Sequence, residues 1–171
     1  MIVFYYTNAQ TKDGEQKDPK KSLGGFVSST PIPNGRSGNV FGDLGAVDLQ
    51  NGGERIIAIA AKNISDNPLA NLTIAVESPI TPNVKYRFAL VTVEEGVMEQ
   101  INHFDAIPYV GDFMELGVDV QSGASQPVVA SLGSGESIGV WLQRVISPSD
   151  SPDCEISTDT ELNLDITFAW D

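Results

Sequence analysis

Arg55-Ile56-Ile57-Ala58-Ile59-Ala60-Ala61 runs apolar through six consecutive positions after its arginine. Successive side chains of an extended chain point to opposite sides, so Ile57, Ile59 and Ala61 share one face and Ile56, Ala58 and Ala60 the other. Both faces are apolar, the pattern of a strand covered on both sides. Working toward the C-terminus, the polar break Asn63-Ile64-Ser65-Asp66-Asn67-Pro68 leads into Leu72, Ile74 and Val76, which alternate with Asn71, Thr73 and Glu77. That second run fits a half-exposed strand. Val84, Tyr86, Phe88 and Leu90 alternate with Lys85 and Arg87, and Ile138, Val140 and Leu142 follow the turn-forming Gly133-Ser134-Gly135. Leu162, Leu164, Ile166, Phe168 and Trp170 mark a last strand. No helical period survives, and residues 96–127, broken by Pro108 and several glycines, read as short strands and long loops. These features predict an all-β fold, an antiparallel β-sandwich of immunoglobulin-like or jelly-roll type.

Toward the N-terminus the texture changes. Met1–Tyr6 is a short apolar strand, residues 7–24 are polar, and Phe26–Thr30 is a short strand candidate. Pro31, Pro33 and Asn34-Gly35 then impose an extended, turning path before the apolar Val40-Phe41-Gly42-Asp43-Leu44. Residues 1–36 hold five of the ten basic side chains against Asp13, Glu15 and Asp18, while the other residues carry five basic and twenty acidic groups. The sequence therefore predicts an extended docking arm over 1–45 and a sandwich over 46–171. Phe4, Leu23, Phe26 and Phe41 are the arm's candidate partner-binding anchors. Strand addition to a neighbour's sheet edge would bury them.

Composition excludes several functions. With a net charge of −13, the chain lacks the clustered Lys and Arg that duplex DNA or an anionic membrane requires. The lone Cys154 forms no intrachain disulfide, and no apolar run approaches the ~20 residues of a membrane span. Met1–Tyr6 lacks a charged flank and a small-residue cleavage site, so synthesis and folding in a cytoplasm are expected.

The same holds for chemistry. Cys154 and the single histidine, His103, form a conceivable dyad, but Asp153 and Glu155 flank the thiol and disfavour its thiolate. His103, Asp105, Asp112 and Glu115 lack the second histidine or cysteine of a zinc site. The acidic run Asp150, Asp153, Glu155, Asp159, Glu161 reads as a solvated loop. No Lys-Ser/Thr follows Gly133-Ser134-Gly135, so a phosphate loop is not expected there. Adjacent Glu94 and Glu95 on a strand would face opposite ways, unlike a glycosidase pair. The expectation is no enzyme, no cofactor and no metal.

Two further residues stand out. Trp141 lies on the face opposite Val140 and Leu142, packed on a second layer or on a partner. Arg144 falls in register with Ile138, Val140 and Leu142, as a paired charge at the core margin or an interface group. A carbohydrate-binding module using Trp141, Tyr86 or Tyr109 is the alternative reading, with Trp170 most simply core.

Four segments together carry a resemblance: Ser22-Leu23-Gly24-Gly25-Phe26-Val27-Ser28-Ser29-Thr30, Val40-Phe41-Gly42-Asp43-Leu44, Glu54-Arg55-Ile56-Ile57-Ala58-Ile59-Ala60-Ala61-Lys62-Asn63, and Gly139-Val140-Trp141-Leu142-Gln143-Arg144-Val145. Their order and spacing resemble small β-sandwich virion structural proteins of tailed bacteriophages. The chain departs from that pattern after Arg144, where Val145-Ile146-Ser147-Pro148 replaces a basic Pro-Gly turn. The resemblance implies a non-enzymatic capsid, neck or tail component. It would be made in the host bacterial cytoplasm, located in the virion, and oligomeric there with copies of itself or other virion proteins. No contact with nucleic acid or membrane is implied.

Overall fold

The structure is a computed structural model that describes residues 1–33, 40–41, 46–77, 83–101, 118–120, 124–148 and 165–169. The fold is all-β, and every strand pairing among the described residues is antiparallel. In chain order the strands are β1 (Ile2–Asn8), β2 (Gly25–Pro31), β3 (Gly53–Asn63), β4 (Leu69–Glu77), β5 (Val84–Thr92), β6 (Val97–Met98), β7 (Val118–Val120), β8 (Ala124–Leu132), β9 (Ser137–Ile146) and β10 (Asp165–Ala169). A 3-10 turn at Pro19–Lys21 and one short helix, α1 (Ala46–Asn51), complete the described elements. Seven strands form one sheet in the order β6-β2-β1-β3-β9-β5-β7, and three form another, β10-β4-β8.

The doubly apolar β3 lies inside the larger sheet, between β1 and β9. Its pairing with β9 runs from Gly53↔Ile146 to Lys62↔Ser137, and Ile56, Ala58, Ala60 and Ala61 have no exposed surface. One face of the sheet gathers Ile57, Ile59, Val84, Tyr86, Phe88, Val140 and Leu142 under Phe41. The other gathers Ile56, Ala58, Ala89, Val91 and Trp141 against Met98 and Ile101. Trp141 stands in register between Ala58 on β3 and Ala89 on β5, so small residues on both neighbouring strands make room for the indole.

The larger sheet curls. A flat sheet would hold β5 and β6 five strand spacings apart, about 24 Å at ~4.8 Å each. The five-residue step from Thr92 to Val97 reaches at most about 18 Å even fully extended. Part of it is spent in a hairpin turn, with Glu94 and Val97 exchanging backbone hydrogen bonds at 3.0 and 2.9 Å. The β2–β6 edge therefore folds back over the Trp141 face, placing the Met98 methyl where a side chain on Gly139 would lie.

That turn has Glu95 at φ 52° and Gly96 at φ 80°, the geometry of a two-residue hairpin that favours Asn-Gly. Glu95 bears a left-handed conformation that asparagine tolerates better. Glu95→Asn is expected to stabilise the protein by about 0.5 kcal/mol, read as a higher urea midpoint at unchanged slope.

The N-terminal third departs from the expected arm. Residues 2–8 and 25–31 are β1 and β2 of the larger sheet, with β1 paired to β3 from Ile2↔Asn63 to Tyr6↔Ile59. A boundary at 45 would separate strands that share one hydrogen-bonded sheet. The reason is that the backbone groups on this edge of β3 need partners, and β1 supplies them for Ile59–Asn63 from within the same chain. Gly133–Glu136 is a turn, as expected, but it joins β8 to β9 and so carries the chain from the smaller sheet to the larger.

Candidate functional site

The described residues singled out as anchors or stacking platforms are buried or half-buried. Phe41 is 6% exposed and packs with Ile57, Tyr86 and Leu142, while half-buried Phe4 joins the same cluster. Half-buried Leu23 packs against the Trp141 cluster. Phe26 is half-buried on β2, in register with Asn8 and Val97. As anchors for a neighbour's pocket, Phe4, Leu23 and Phe41 are already spent on this chain's own core. Trp141 is 1% exposed and Tyr86 4%, so neither offers an open ring for stacking on sugar. Tyr109 lies outside the described residues. So do His103, Asp105, Asp112, Glu115, Cys154, the acidic run 150–161 and Trp170. Among the described residues, no three His, Cys, Asp or Glu side chains converge.

Arg144 is 2% exposed, which assigns it to the core margin. It stands opposite Tyr86 on β5 and Arg55 on β3. Its guanidinium carbon lies 5.2 Å from the Phe41 ring centroid, and the Phe41 and Tyr86 rings are 5.7 Å apart and tilted by 46°. Arg144 and Tyr86 face each other across the β5–β9 pairing and interact electrostatically. Burial pushes the Tyr86 phenol up to about 12, opposed by the neighbouring Arg144. Burial also lowers Arg144 from its ordinary value; Tyr86 and Asp48 raise it, and the like charge of Arg55 lowers it. Arg55 is paired with Asp48 at 3.3 Å. The cluster stacks a buried cation on an aromatic ring beside the Arg55–Asp48 pair, without arranging a nucleophile beside a base.

Two polar nodes escaped the sequence reading. The first is Ser22, which has no exposed surface. Regular β1–β3 pairing stops at Tyr6↔Ile59, and Ser22 is wedged into the next position. Its backbone carbonyl accepts from Ala58 N at 2.8 Å. Its Oγ accepts from Thr7 N at 2.8 Å and donates to Ala58 O at 2.6 Å. Since that bond uses the Ser22 proton, Thr7 Oγ1 must donate to Ser22 Oγ across their 3.2 Å contact, and it accepts from Gly24 N at 2.9 Å. One hydroxyl thus replaces the cross-strand bond that β1 and β3 no longer make. Ser22→Ala strands a buried N–H and C=O and is expected to cost about 2–4 kcal/mol. Chemical denaturation should show it, while the exposed Ser29→Ala stays within about 0.5 kcal/mol of the parent.

The second node is Asn63, also without exposed surface. Its Nδ2 donates to the carbonyls of Asn67, Leu132 and Gly133 at 2.8, 3.1 and 3.2 Å, and Oδ1 accepts from Ser65 N and Oγ at 3.0 and 2.6 Å. Asn63 therefore pins two of the connections that cross between the sheets, β3 to β4 and β8 to β9. With this amide enclosed, the glycosylation pattern Asn63-Ile64-Ser65 is unavailable for modification. For Asn63 the signal was a polar residue just past an apolar run, which reads equally well as a break; Ser22 follows Lys20-Lys21 in a polar stretch and gave none.

The basic side chains Lys12, Lys17, Lys20 and Lys21 are exposed on the β1–β2 connection. The Lys17–Glu15 pair at 3.0 Å is solvent-facing and contributes little. The chain matches no family model, and comparison with curated proteins and with solved structures likewise finds no match.

Proposed function

We propose that this chain is a non-enzymatic structural component of a tailed-bacteriophage virion, an auxiliary capsid, neck or tail protein. One observation supports the reading above the others. The four segments that carry the sequence resemblance meet in the structure as a single framework. Ser22 is bonded to Ala58, Phe41 stacks on Arg144, Arg55 stands opposite Arg144, and Ala58 stands opposite Trp141. Residues shared for catalysis would converge on an open, polar cleft; these converge on buried joints, as expected where the shared property is a rigid body.

In this proposal the three-stranded sheet packs on the larger one as the second layer of a sandwich. The partners are other virion proteins or further copies of the chain, met in an oligomeric particle through sheet edges and exposed loops rather than through a free arm. The acidic surface keeps copies soluble until they dock. Mass spectrometry of purified particles tests it: the chain is expected at a fixed copy number in intact, washed virions. Recovery only in the soluble host fraction would overturn the reading.

A further inference from the structure

We draw no further inference here: the strongest candidate, the outer edge of β8 in the three-stranded sheet, nine residues without a charged side chain and unpaired on that side among the described residues, carries nothing because no feature of the structure shows what covers it.

Discussion

Gly24→Ala is expected to abolish stable folding. Gly24 has φ +90°, in the region that side chains other than glycine's rarely adopt. A Cβ there would lie 1.7 Å from the Glu99 carbonyl oxygen and 2.7 Å from its carbon. Relief would require backbone to move, and that backbone is held. Ile101 N donates to Leu23 O at 2.9 Å, and Gly25 and Phe26 pair with Met98 and Val97. Met98 and Ile101 are themselves buried against Trp141. Accommodating one methyl group thus means lifting residues 96–101 from the face they cover. A loss above about 4 kcal/mol is expected, within the class of overpacking against a special backbone conformation. Domains of ordinary stability have only about 5–15 kcal/mol in total, so the variant should be recovered largely unfolded or aggregated. Gly53→Ala is the control. Gly53 also has positive φ, +141°, but nothing lies within 4 Å of its would-be side chain, so only conformational strain is added. Circular dichroism melts should separate the two. A Gly24→Ala variant melting like Gly53→Ala would mean that residues 96–101 are not seated on Leu23 and Gly24.

How much of this was legible in the sequence depends on how local each signal is. The centre of the larger sheet was legible because period-two alternation is a local property. Ile57 and Ile59 on one face with Ile56 and Ala58 on the other announce burial on both sides, and Val140, Leu142 and Arg144 share a face as their spacing required. The placement of β1 and β2 was not legible. Met1–Tyr6 has no alternation to read, and β1 pairs with residues roughly twenty and more than fifty positions away. Nothing in residues 1–36 encodes that distance. Polarity misled as well: Thr7 and Ser22 make the segment look solvated, yet both are fully buried because each hydroxyl is bonded. β8 was hidden by Pro127, which argues locally against a strand and is tolerated at a sheet edge. The short helix α1 was not legible either, since six residues give too short a period to detect.

The contrast between an arm and a pair of sheet strands has its largest consequence on truncation. A chain lacking residues 1–31 is expected to lose cooperative folding altogether, whereas removal of an arm would leave a folded, soluble body. The deletion removes β1 and β2 and takes the strand partner of β6 with them. It also removes Ser22, which satisfies Ala58 N and O, and the β1 backbone that pairs with Ile59–Asn63. β3 then becomes an edge strand along that side while both its faces remain apolar. A long, hydrophobic, unpaired edge of this kind is a template for aggregation. Phe4 leaves one face and Leu23 the other, so both clusters lose cover at once. The measurements are size-exclusion chromatography, near-ultraviolet circular dichroism and urea unfolding. The expected results are aggregates, a flattened aromatic signal and no sharp transition. A synthetic peptide of residues 1–31, added during refolding, should restore a cooperative transition if it re-forms both strands. Since the lost bonds are mostly backbone, a peptide carrying Ser22→Ala should restore less stability while still rebuilding the sheet, whereas one carrying Gly24→Ala should fail to dock. A truncated chain that unfolds as sharply as the parent would instead mean that β3 is stable with an open edge. The N-terminal strands would then be free to pair with another subunit.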